Sequence, residues 1–465
     1  MIFSSITFLY YFLPCVLLIY WLVPKKGKNI VLLFSSMFFY AWGEPKYVIL
    51  MAVSILISYI FGILIEKTRE NKMSKWFCIC SVMVSLLILG YFKYVDFLIG
   101  NFNSITGANI HLQNIVLPIG ISFYTFQIIS YIVDVYRGEP AQKNPVELAL
   151  YVSMFPQLIA GPIVRYSDIE KQLKEREQTI FNMAYGVRRF IIGLGKKVMI
   201  ANQLGEFCGY YRGSEQTSVL FCWMYAVSTS LQIYYDFSGY SDMAIGLGKM
   251  FGFHFMENFN YPMIASSITE FWRRWHISLG TWFKDYVYIP LGGNRGSGLS
   301  RFFSIAVVWT LTGLWHGASW NFVLWGVYFF VFLWMEKIFL KEFLKNKKWL
   351  AHTYVLFLSI ISFVIFQGVE RNQLKTDLLG LFGLGNLPLV SKETLYYVKE
   401  YSYLIMLSII GATPILKQCI ERIIRKPWGE SVLIVLEPIF LIGLLVMVTA
   451  YLVDGSYNPF LYFRF

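Results

Sequence analysis

The chain has 465 residues, of which 57% are hydrophobic and 15% charged, with a mean hydropathy of +0.54. Soluble domains carry roughly 25% charged residues, so this composition excludes a soluble globular protein and indicates an all-α polytopic membrane protein. Forty Lys and Arg against 28 Asp and Glu give a net charge of +12, and the cations fall in short clusters between apolar runs. That placement orients loops across a bilayer rather than forming a nucleic-acid surface.

Taking about 20 apolar residues as one crossing, the predicted spans are 2–23, 29–43, 46–66, 76–98, 115–136, 181–207, 219–248, 349–369, 402–416 and 431–452. No cation precedes the first run, while Lys25, Lys26 and Lys28 follow it, so it reads as a retained span with its N-terminus outside. Alternating sides then puts the clusters Lys67–Lys75, Lys171–Arg176, Lys341–Lys348 and Arg422–Lys426 in the cytoplasm, and the C-terminus outside. The chain is expected to be one integral domain with an aromatic tail over 453–465, in the plasma membrane. The six cysteines lie mostly inside apolar runs without metal spacing, which supports neither a disulfide framework nor a zinc site.

Three stretches depart from simple crossings. Residues 146–166 are apolar but broken by Pro156 and by Gly161-Pro162, which predicts entry and return on one side. Residues 258–300 are too polar to span and dense in Trp, Arg and Tyr, as expected of helices lying in the interface. Residues 302–337 form two apolar arms meeting at Gly313-Leu-Trp-His-Gly317, with cations at both outer ends. Irregular backbone at membrane depth is tolerated only inside protein or beside a wet cavity, so this hairpin is expected to hold His316 near mid-depth within the protein.

An ionisable group at such depth costs several kcal/mol unless it is partnered or useful. A neutral imidazole at a glycine-flanked break can take a proton from a hydroxyl or thiol, which makes His316 the leading catalytic candidate over a core histidine bonded to a carbonyl. Around His276, the cations Arg273, Arg274, Lys284 and Arg295, with the Gly292-Gly293-Asn294 loop and its backbone N–H groups, would suit the phosphates of a donor such as coenzyme A. The plainer reading of those cations is contact with anionic headgroups. Asp236 and Asp242 lie among small residues, where structural hydrogen bonding is the default and no metal pair is supported. The segment Gly193-Leu-Gly-Lys-Lys197 lacks the features of a phosphate-binding loop, and no HExxH, GxSxG or CxxC motif is present.

The tail Ser456–Phe465 is too aromatic for a solvated end, so it is expected to bury itself. Nine residues separate Val453 from Tyr462 and span up to about 30 Å when extended, enough to bring the Tyr462 phenol to His316 as a nucleophile. The alternative is an aromatic belt anchoring the last helix.

With Leu-Trp-His316-Gly-Ala-Ser-Trp, Phe271-Trp-Arg-Arg-Trp-His-Ile-Ser-Leu279 and Tyr288-Ile-Pro-Leu-Gly-Gly-Asn294, the chain resembles the membrane-bound O-acyltransferase family in its alginate-acetylation branch. Phe155–Pro162, Asp236–Met243 and Asn458–Phe465 extend the likeness over most of the chain. The resemblance implies a funnel of helices thin at its centre, with His316 and His276 as the family's two histidines. It implies acetyl transfer from cytoplasmic acetyl-CoA, with no bound cofactor or metal, toward an extracellular polysaccharide through a separate extracytoplasmic SGNH-type acyltransferase. A related tail motif in such systems agrees with the reading of Tyr462. Two alternatives stay open: a transporter or flippase for a lipid-linked sugar, and acylation of a teichoic-acid-like polymer.

Overall fold

The computed structural model describes residues 1–368, 370–384, 386–455 and 458–459. The described residues are helical and contain no β-strand beyond one isolated bridge between Phe259 and Trp275. They divide into two compact units. One comprises Met1–Phe190, Met243–Met256 and Thr281–Tyr286; the other comprises Ile191–Asp242, Glu257–Gly280 and Val287–Phe465.

Among the described residues, six helices are long and apolar enough to cross a membrane: Tyr47–Lys67, Met73–Thr106, Gly298–His316, Trp320–Leu344, Lys348–Gln367 and Gly429–Val453. The pair Lys392–Gly411 and Ile415–Ile424, bent by 62°, brings the number to seven if it forms one broken span. Five of the ten expected spans coincide with these, and the two arms of the 302–337 hairpin supply the others. The remaining expected runs are helical but are shorter or more polar than these. Ile121–Arg137 has 17 residues, and almost all of them are buried, so its apolar character serves protein packing rather than lipid. Lys28–Gly43 has 16 residues, and Val219–Met250 is long but carries too many polar groups.

In the first unit, the broken segment after Asn144 forms helices Pro145–Ser153 and Phe155–Leu158, of 9 and 4 residues, neither long enough to cross. Asn144 caps the first by accepting from the Val146 amide at 3.0 Å, and Pro145 occupies the first turn, where its missing N–H costs nothing. Phe155 then packs into a buried cluster with Phe12 and Phe39, at ring-centroid distances of 5.4 and 5.5 Å. The short segment Thr281–Tyr286 is tied to this unit by polar contacts. Arg165 pairs with Asp285 at 2.5 Å and Asp168 at 2.7 Å, and the Tyr286 hydroxyl donates to Asp134 at 2.7 Å.

In the second unit, the arms Gly298–His316 and Trp320–Met335 pack as a close antiparallel hairpin. Gly313 and Gly326 make the approach possible. A Cβ on either would collide with a backbone carbonyl of the opposite arm, that of Phe322 or Trp309 respectively. The break falls at Gly317-Ala318-Ser319, directly after His316, as the sequence predicts. Each arm is nevertheless long enough to cross, so hairpin length alone does not hold His316 at mid-depth. Its enclosure comes from the side chains around it.

Candidate active site

The site in the second unit starts from a short helix, Ile268–Arg274, whose entry is fixed twice. Ser267 accepts from the Glu270 amide at 3.0 Å, and the buried Glu336 carboxylate accepts from the Thr269 amide and hydroxyl at 3.1 and 3.0 Å. A carboxylate there meets the unsatisfied N–H groups of the helix start. At the other end the chain turns back alongside residues 258–260: the Asn260 amide donates to the Arg274 carbonyl at 2.9 Å, and the Ile277 amide to the Asn258 carbonyl at 3.0 Å. His276 bridges this pairing with a φ of +46°, a left-handed conformation that costs energy for a side chain of this size.

That turn puts the imidazole inside the protein, with 1% of its surface exposed. His276 Nδ1 lies 3.1 Å from Asn258 Oδ1, which also accepts from the Ser278 amide at 3.2 Å and the Ser278 hydroxyl at 2.9 Å. An amide N–H can only donate, so the Asn258 atom at this point is its oxygen, and Nδ1 must carry the proton that it donates. The Nε2 lone pair is therefore the basic position of the ring. It is buried and has no hydrogen-bond partner among the described residues. Burial holds the His276 pKa well below its usual range, and the neighbouring His316 pushes it the same way, so the ring is kept neutral.

His316 ends the first arm of the hairpin and is also buried. Its ring stands edge-on to Trp325 and Phe366, at 5.1 and 5.2 Å, and 5.0 Å from Trp315. Trp315 in turn lies 5.8 Å from His276, whose other side meets Phe237 at 4.6 Å. The two histidines thus share Trp315 within an aromatic enclosure. Asn321 closes it by donating to the Phe366 carbonyl at 2.8 Å. A low-dielectric enclosure with two imidazoles can exclude water while protons are exchanged.

The remaining sequence candidates are distributed more widely. Arg273 is exposed, whereas Arg274 is engaged with Glu270 at 2.9 Å and with the Asn260 carbonyl at 3.1 Å. Asn294 accepts from the Tyr288 hydroxyl at 2.9 Å and from Lys337 at 3.3 Å, with Arg295 exposed beside it. The expected anion cradle at Gly292 and Gly293 is not available, because their amides donate to the carbonyls of Ile289 and Tyr288 at 3.0 and 2.9 Å. Both glycines have positive φ, of +102° and +52°, and serve a tight turn instead. Lys284 is exposed and belongs to the first unit. Tyr462 lies outside the described residues. Among the described residues, no group of three or more His, Cys, Asp or Glu could hold a metal ion.

Asn258 and the lysine partners of Asp236 and Asp242 were not identified from the sequence. Asn258 is 18 positions from His276 and meets it only through an irregular turn, so no periodic spacing announces the pair. Lys197 and Asp236 form an ion pair at 2.5 Å with 3% of each side chain exposed, and Lys196 pairs with Asp242 at 2.7 Å. The signal was present as opposite charges in two apolar helical runs, which can remain buried only by meeting.

Comparison with known proteins identifies the family to which the chain is related. A sequence model of the MBOAT, or membrane-bound O-acyltransferase, family matches residues 134–369, which include both histidines. The chain is 41% identical over 394 residues to a protein of Azotobacter vinelandii named "Probable alginate O-acetylase AlgI", covering 83% of this chain and 79% of that one. It is 34% identical over 465 residues to the "Peptidoglycan O-acetyltransferase" of Helicobacter pylori, covering 91% and 88%. With the "Teichoic acid D-alanyltransferase" of Bacillus subtilis it shares 27% identity over 277 residues, covering 55% and 70%.

Proposed function

The chain belongs to the membrane-bound O-acyltransferase family and is a multi-pass membrane enzyme, and on that premise we propose that it carries an acetyl group from cytoplasmic acetyl-CoA to an extracellular polysaccharide. The observation that carries this reading is the pair His276 and His316 on either side of Trp315, enclosed by aromatic rings and buried. The names of the relatives supply the acetyl group and the polymeric acceptor.

In this reading His316 is the general base. As an acceptor hydroxyl oxygen attacks the thioester carbonyl, the imidazole takes the hydroxyl proton; the C–S bond breaks, and the leaving thiolate recovers that proton. The products are an acetyl ester and the free thiol of coenzyme A. His276, held as the Nδ1–H tautomer by Asn258, offers Nε2 as an acceptor to the thiol or hydroxyl in the same enclosure. Of the candidates in the second unit, Arg273 and Arg295 are exposed and are assigned to the donor's phosphates, whereas Arg274 is engaged with Glu270 and Asn294 with Tyr288 and Lys337.

The first acceptor is proposed to be Tyr462 of the chain's own tail, which hands the acetyl group to an extracytoplasmic SGNH-type partner acting on the polysaccharide. Support comes from the tail immediately before it, where Asn458 and Pro459 return to buried residues of the second unit. A lipid-linked-sugar transporter would leave the thioester intact. Purified protein in liposomes given acetyl-CoA labelled in the acetyl group tests the proposal: released coenzyme A supports it, and an unchanged thioester overturns it.

A further inference from the structure

Burying an ion pair is worthwhile only when its geometry is good and the remaining hydrogen-bonding capacity of both ions is used. Lys197 and Asp236 meet at 2.5 Å, each with 3% of its side chain exposed. Lys197 also donates to the carbonyl of Pro459. Further along the same stretch of helix, Asn202 donates through Nδ2 to Asn458 Oδ1 at 3.1 Å. Asn202 is itself 2% exposed, and its Oδ1 has no hydrogen-bond partner among the described residues. Two buried polar side chains therefore grip two consecutive residues more than 250 positions away in sequence. Proline suits the grip, since it has no N–H of its own and offers only its carbonyl.

The grip is next to the histidine enclosure. Asp236 is followed directly by Phe237, whose ring stands edge-on to His276 at 4.6 Å. We propose that Lys197, clamped by Asp236, and Asn202 form a latch that seats the chain's own C-terminal tail at Asn458-Pro459, beside His276. The proposal rests on the reading of Tyr462 as acyl acceptor. It turns a loosely tethered tail into one with a fixed pivot. From Val453 a free tail would sweep about 30 Å, whereas Tyr462, three residues beyond a held Pro459, can move no more than about 10 Å from it.

Hydrogen exchange of the full-length protein in detergent, followed by mass spectrometry, tests the latch without acyl donor or acceptor. The double variant Lys197→Met with Asp236→Asn removes the latch and both charges of the pair together. Exchange in the peptide covering 455–465 should rise by about tenfold, while peptides from 268–283 stay as in the wild type. Asn202→Ala keeps the ion pair and should raise exchange in the same peptide severalfold. If the double variant opens globally, Asn202→Ala decides alone, and unchanged exchange there overturns the latch. Loss of acetylation in Tyr462→Phe alongside unchanged exchange in both latch variants would likewise overturn the latch and leave the relay standing. A latch that opens as expected, with Tyr462→Phe fully active, would support the latch and remove only the relay.

Discussion

Asn258 Oδ1 sits 3.1 Å from His276 Nδ1 and accepts at the same time from the Ser278 amide, so a single side-chain oxygen fixes which nitrogen of the histidine is free. Asn258 touches no reacting atom in the proposed mechanism and is a positioning residue. Asn258→Asp keeps the acceptor but sets a carboxylate against Nδ1, which favours the imidazolium. Burial holds the wild-type pKa low, so His276 is neutral across the working range; the substitution should move the acid limb of the pH–rate profile to higher pH. Asn258→Leu removes the tautomer control and should lower kcat by about 10²-fold with little change in KM. An unmoved acid limb in the Asp variant, together with normal kcat in the Leu variant, would show that the contact is only structural.

The two arginines of the short helix should separate. Arg274 is occupied by Glu270 and the Asn260 carbonyl, and Arg274→Ala is expected to lower unfolding stability by about 1 kcal/mol, read as a shift in Tm. Arg273 is exposed, and Arg273→Ala should leave Tm unchanged while raising the KM for acetyl-CoA severalfold, an effect that weakens with added salt. Equal KM values for both variants and the wild type would reassign Arg273 to the lipid surface.

Close approach of the hairpin arms is a packing requirement at Gly313 and Gly326. Gly313→Val should destabilise the protein by about 1–3 kcal/mol and displace His316, three residues away, reducing activity more than Tm alone accounts for. Activity that simply follows the folded fraction would show that the hairpin does not set the histidine's position.

Much of this arrangement is legible in the sequence, and the parts that are not share a cause. The apolar arms around Gly313-Leu-Trp-His-Gly317 predict a hairpin with His316 at its turn, because length and glycine are local signals. Partners brought together by irregular backbone leave no such trace. Asn258 reaches His276 through a left-handed residue, and Lys197 meets Asp236 across two helices. Composition also cannot tell protein from lipid as the surroundings of an apolar run: most of Ile121–Arg137 is buried within the protein. The glycine pair at 292–293 shows the converse, where a pattern suited to an anion is used by a turn.

Tyr462→Phe keeps the ring and removes one oxygen. The relay requires this variant to lose polysaccharide acetylation at normal protein level, and the wild-type C-terminal peptide to carry one acetyl group when the partner enzyme is absent. Full acetylation in the Phe variant would mean that the tail serves as an anchor.

The central claim is that a buried histidine drives transfer from acetyl-CoA, and release of coenzyme A thiol by purified protein measures it most directly. Wild type and His316→Ala, matched for amount and for Tm, would be compared in liposomes with acetyl-CoA supplied. The account predicts steady thiol release by the wild type and a rate lower by about 10²-fold to 10⁴-fold in His316→Ala. Equal release by the two proteins would contradict it.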